Sequence, residues 1–161
     1  KAVERESWLQ CDFVAVGEDP LVALLRAAQV LDVELALCVQ RFGMAYGDVL
    51  AAYRDAIEYA PQRAEALCEL ARYLRQNQRY ELARRYAHAA SRLPAPRGVL
   101  ILDSTVYDWR AGDELAVASF YCGDRQTSAR LWRELLEDRR LPAEERARVQ
   151  GNLDAAVAAA S

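Results

Sequence analysis

Residues 63–94 read RAEALCELARYLRQNQRYELARRYAHAASRLP, and this stretch decides the fold. Leu67, Leu70, Ala71 and Leu74 recur at helical spacing. Asn77-Gln78-Arg79 interrupts them, and Tyr80, Ala83 and Ala90 resume the period until Pro94 stops it. The spacing predicts two antiparallel helices, 63–76 and 80–93, joined by a tight turn. Ala71, Ala83 and Ala90 let the helices approach closely, while Leu70, Leu74 and Tyr80 fill the seam. The pattern repeats. Thirty-four residues earlier, Tyr46 stands where Tyr80 does, Tyr53 where Ala87 does and Ala56 where Ala90 does. Forty-five residues later, Leu115-Ala116 falls on Leu70-Ala71, Ser128 on Ala83 and Leu135 on Ala90, with Gly123-Asp124 in the turn.

This skeleton and its 34-residue period resemble the tetratricopeptide repeat. The expected fold is all-α: an α-solenoid of about three such helix pairs, with flanking helices and one insertion. The alternative is an irregular helical bundle. A single domain is expected, with divergent helices over 1–45, repeats over 46–93, the insertion over 94–110, and the last repeat and a C-terminal helix over 111–161. Asp19-Pro20 opens a long helix to about Phe42. Gly47-Asp48 precedes one that runs to about Tyr59 and is stopped by Pro61. Helix resumes at about Asp108 and runs to Tyr121, then from Gln126 to Leu136, and Leu141-Pro142 opens the last. Val99–Leu102 is the single strand candidate.

Composition agrees with helices and excludes several functions. The chain has 161 residues, enough for one core without disulfide or metal support. Its 53% apolar residues rule out a disordered chain. Seven Gly and five Pro are too few for a turn-rich all-β protein. Twenty-one basic against 24 acidic residues give a net charge of −3, which offers no general attraction to nucleic acid or anionic lipid. The run Leu31–Gln40 contains Asp32 and Glu34, so no membrane span is read. Lys1–Gln10 is charged throughout, unlike a signal peptide. The initial Lys1 suggests a fragment of a longer protein or a processed or trimmed chain. Cys11, Cys38, Cys68 and Cys122 are dispersed, as expected of four free thiols in a reducing, cytoplasmic setting.

A narrower likeness lies in the second half. Arg63–Leu67, Glu69–Tyr73 and Tyr80–Ala83, then Val106-Tyr107-Asp108-Trp109-Arg110 ahead of Asp113–Ala116, then Leu141–Arg148 and Asn152-Leu153, resemble the helical-repeat region of bacterial inverting A-type (family 2) glycosyltransferases. The likeness covers roughly residues 47–155. In that family the nucleotide-sugar and metal sites belong to a separate α/β domain, whose acidic metal motif is absent here. The resemblance therefore implies association with glycan-building machinery and no catalysis by this chain.

Candidate chemistry is sparse. His88, the single histidine, sits mid-helix without a sequence-adjacent partner for general-base or cysteine-nucleophile chemistry. Asp103, Asp108 and Asp113 recur every five residues but lack the glycine and bidentate glutamate of a calcium loop, so capping and turn roles are expected. Glu144-Glu145-Arg146 and Arg148 read as a solvated helix face. No glycine-rich phosphate loop exists, and no cofactor or metal is expected.

The concave face of a solenoid is lined by the first helix of each pair. The register turns Glu34, Cys38, Arg41, Glu65, Cys68, Arg72, Arg75, Asp113, Val117 and Tyr121 toward it. Arg41, Arg72 and Arg75 can receive carboxylates, with Arg72 and Arg75 expected to be exposed; the alternative is a mixed solvated face. The chaperone-binding carboxylate clamp of some tetratricopeptide domains needs an Asn where Glu69 stands, so that ligand is not expected. Tyr107, Asp108, Trp109 and Arg110 can anchor the insertion as buried staples or form a contact patch. The expected function is a non-catalytic scaffold binding a protein or peptide, a glycosyltransferase or its protein substrate. Alternatives are a free-standing adaptor with an unrelated peptide partner and, third, a small helical enzyme using His88 or the acidic cluster.

Overall fold

The structure, a computed structural model, describes residues 36–37, 45–97 and 102–159. Among them are six α-helices and no strand: α1 (Tyr46–Tyr59), α2 (Glu65–Gln76), α3 (Tyr80–Ser91), α4 (Ala111–Tyr121), α5 (Arg125–Glu137) and α6 (Ala143–Ala158). Each packs against the next in chain order, and α2 also packs on α4. This is an all-α, solenoid-like stack. The strand candidate Val99–Leu102 and the long helix expected from Pro20 lie almost wholly outside the described residues.

The repeat register is visible in the core. Val49, Ala83 and Ser128 occupy one buried position of successive second helices, and Tyr53, Ala87 and Trp132 another. Leu70 and Leu115 correspond in the first helices, as do Leu74 and Ser119. Small residues at these crossings let the helices close up, and the two large aromatics fill what the alanine leaves open elsewhere. Ala83, Ala87 and Ala90 are spaced four and three apart, so α3 presents one alanine face to both neighbours.

The turns repeat atom for atom. After α2, Asn77 N–H donates to Tyr73 O, Gln78 N–H to Arg75 O and Arg79 N–H to Leu74 O. After α4, forty-five residues on, Cys122 N–H donates to Ala118 O, Gly123 N–H to Phe120 O and Asp124 N–H to Ser119 O. The six-residue bond back to Leu74 or Ser119 requires a left-handed residue. Gln78 has φ 58° and Gly123 φ 88°. Asp124 then caps α5 by accepting from Thr127 N–H at 3.1 Å.

Several boundaries differ from the sequence expectation. Helix α1 begins at Tyr46, placing Gly47 and Asp48 in its first turn, where the acid favours the helix dipole. The helix expected from Asp108 begins at Ser104, inside the stretch read as an insertion. Asp103 Oδ1 accepts from Thr105 N–H at 3.1 Å and starts it. Its segment Val106–Arg110 is a π turn, closed by a bond from Ala111 N–H to Val106 O, and runs directly into α4.

Candidate functional site

A groove of about 550 Å³ crosses the first helices of the stack. Helix α2 contributes Arg72 and Arg75, the π turn Trp109 and Arg110, α4 Asp113, Glu114 and Val117, and α6 Glu145, Arg148 and Asn152. Because α2, α4 and α6 are alternate helices, one side chain layer faces one way along the solenoid. Leu70, Leu115 and Val149 turn the opposite, buried sides of the same helices into the core.

The charges in this groove are mostly answered from within. Arg75 forks onto Glu114, with Nε to Oε2 at 2.7 Å and Nη2 to Oε1 at 2.9 Å. This bond raises the arginine's pKa against the opposing effect of burial. Arg148 donates to Asp113 Oδ2 at 2.9 Å and to Glu145 Oε2 at 2.7 Å. The other oxygen of Asp113 accepts the Trp132 indole N–H at 3.0 Å. Arg110 pairs with Glu69 and, at 2.8 Å, with Asp103. Arg72 is different: among the described residues its nearest carboxylate oxygen, Glu69 Oε2, is 3.9 Å away, and 49% of its side chain is exposed.

These contacts correct the sequence reading. Arg72, Arg75, Asp113 and Val117 do line the groove, but Arg75 is tied to α4 and is not free. Glu65 and Cys68 do not line it. Cys68 is fully buried among Ala64, Leu67, Ala90, Val106 and Ala111, and burial pushes its thiol up to about 12. Tyr121 stands at the turn edge, 56% exposed, stacked on Tyr80 with ring centroids 4.5 Å apart. Glu34, Cys38 and Arg41 lie outside the described residues. Of the expected solvated face of α6, Glu144 and Arg148 are exposed, but Arg146 is committed: it donates to Leu136 O at 2.7 Å and Asp138 O at 2.8 Å, closing the end of α5.

Glu65 belongs instead to a buried knot. Arg63 Nη2 donates to its Oε1 at 2.6 Å and Nε to Oε2 at 3.2 Å. The Tyr107 hydroxyl donates to Oε2 at 2.6 Å and accepts Ala64 N–H at 3.0 Å. Burial, then the bond to Glu65, raises the tyrosine's pKa. Asp108 accepts from Arg140 at 3.2 Å. Trp109 packs on the core of Ala116, Trp132 and Leu135 while lining the groove. Asp103, Asp108 and Asp113 thus each meet an arginine, and among the described residues no three His, Cys, Asp or Glu side chains converge as metal ligands. His88 is exposed on α3, away from the groove.

Sequence reasoning missed Glu114, Glu145, Arg148 and Asn152 as groove residues. One signal was present: Arg148 follows Glu114 by 34 residues, so the two hold one place in successive repeats with opposite charge. No known family model matches the chain, and no curated protein matches it. No described helix is long and apolar enough to cross a membrane.

Proposed function

We propose that this chain is a non-catalytic scaffold that binds a segment of another protein along the groove formed by α2, α4 and α6. The observation that carries the reading is the shared lining of one open groove by alternate helices, which offers an extended ligand several anchoring points at once. Two features argue against catalysis. Cys68 is buried and strongly disposed to stay a thiol, and His88 stands apart from the groove. A glycosyltransferase domain or its protein substrate is the proposed partner, on the likeness of Val106–Arg110 and its flanking repeats to the helical region of that enzyme family.

Cross-linking and mass spectrometry of the complex recovered from the native host test the reading. Cross-links to the partner should concentrate on α2, α4 and α6. Cross-links confined to the exposed faces of α3 and α5 would move the site elsewhere. A turnover lost in His88→Ala would overturn the non-catalytic assignment.

A further inference from the structure

Four arginines border the groove, and the pairing among them is uneven. Arg75, Arg110 and Arg148 each meet a carboxylate at 2.9 Å or closer. A polyanionic ligand would have to separate these partly buried pairs and leave the carboxylates uncompensated, which is costly. Arg72, with its distant Glu69 and half-exposed side chain, has no close pair to separate among the described residues and can take a new anion. Asn152, on α6, makes no side-chain hydrogen bond among the described residues and can serve a peptide N–H or C=O. Between them, Val117 and the ring of Trp109 give an apolar wall.

Arg72, Val117 and Asn152 stand on three successive lining helices. Helix α2 packs on α4, and the Arg148–Asp113 pair links α6 to α4; helices in such contact lie roughly 8–10 Å apart. The path from Arg72 to Asn152 is therefore about 20 Å, which an extended chain covers in about six residues. We infer that the groove selects an extended peptide segment of about that length, carrying a single carboxylate for Arg72, an apolar side chain for Val117 and Trp109, and a backbone amide for Asn152. This rests on the scaffold reading above and adds what the partner must look like.

The test is selection of phage-displayed random heptapeptides on the full chain. The selected sequences should carry one Asp or Glu and an apolar residue two to four positions away. A synthetic selected peptide should bind Arg72→Ala about tenfold or more weakly than wild type, the range of one hydrogen bond to a charged group. Selection on Arg72→Glu should replace the acid by a base. Circular dichroism keeps a folding defect distinguishable, since a half-exposed Arg72 should be replaceable without loss of helix. Polyacidic or basic selections on wild type, an acid preference that survives Arg72→Glu, or no selection at all would overturn the inference. If that happens while the native partner still cross-links to α2, α4 and α6, the scaffold reading stands without it; if no partner is recovered either, both fall.

Discussion

Removing one oxygen atom, in Tyr107→Phe, should loosen the junction between the second and third helix pairs. The hydroxyl has two jobs: it donates to buried Glu65 and accepts the N–H of Ala64, at the very start of α2. Glu65 is 5% exposed and Ala64 1%, so neither group regains full hydration when the oxygen is gone. A hydrogen bond to a charged group contributes roughly 1.5–3 kcal/mol, and a buried N–H left unmet costs about 1–3 kcal/mol. Tyr107 is only half-buried, and water entering beside the phenyl ring recovers part of this, so a net loss of about 2–4 kcal/mol is expected. For a chain of this size that is a fall in Tm of about 4–16 °C. Urea and thermal unfolding followed by circular dichroism measure it, and hydrogen exchange at the Ala64 amide localises it. A double-mutant cycle with Glu65→Gln should give a coupling of about 1 kcal/mol or more. A Tyr107→Phe stability within about 0.5 kcal/mol of wild type, with Ala64 still protected, would refute the reasoning.

Four other outcomes follow from single features. Gly123→Ala should cost about 1 kcal/mol in denaturant unfolding, because φ is 88° there and no atom lies within 4 Å of the new methyl, so backbone strain alone is read. Gln78→Gly, at φ 58° in the equivalent turn, should be neutral or stabilising by up to about 1 kcal/mol. Arg75→Ala should lower stability by about 1–2 kcal/mol, mostly by leaving Glu114 unpaired, whereas Arg72→Ala should change it by less than about 0.5 kcal/mol. Hydrogen bonds from Arg140 hold the Asp138 carboxyl down at about 2. Its folded pKa is thus below its unfolded one, so its contribution is complete above the ordinary value of 3.8 and is lost as pH falls through about 2. Carboxyl NMR should find that midpoint, and Arg140→Ala should return it toward 3.8.

What the sequence made legible was what depends on spacing. The places of Ala71, Ala83 and Ala90 follow from the period, and so do the counterparts Ala116 and Ser128, because crossing helices favour small side chains there, although Val49 and Leu135 fill two of the equivalent places. The turn at Gly123-Asp124 was legible from glycine and a capping acid. Its twin at Gln78 was placed by the register, without a residue that advertises a positive φ. The groove was half legible. Spacing put Arg72 and Arg75 on one side of α2, but it carries no information about Glu114, whose meeting with Arg75 depends on how α4 is rotated against α2. Glu65 and Cys68 were misplaced for the same reason: α2 is covered by α1, α3, α4 and the π turn together, so its apparent polar side has little open surface. The π turn was not legible, since Val106–Arg110 satisfies an α pattern equally well.

That π turn explains how an insertion can leave the stack intact. The spacing between the second and third pairs exceeds the 34-residue period by eleven residues, which by itself would let the later helices drift. Instead the last part of the insertion is wound into the helix that begins the third pair, and four consecutive side chains fan out from it. Tyr107 reaches the start of α2, Asp108 the loop after α5, and Arg110 the middle of α2, while Trp109 lies on the core shared by α4 and α5. Trp109 and Arg110 also wall the groove. Anchoring and contact, the two roles open for this motif from sequence, are therefore not exclusive. The residues that fix α4 against α2 also set the width of the part of the groove that lies between those two helices. Loosening the joint at Tyr107 must then alter the groove at Trp109 and Arg110, although Tyr107 does not itself line it.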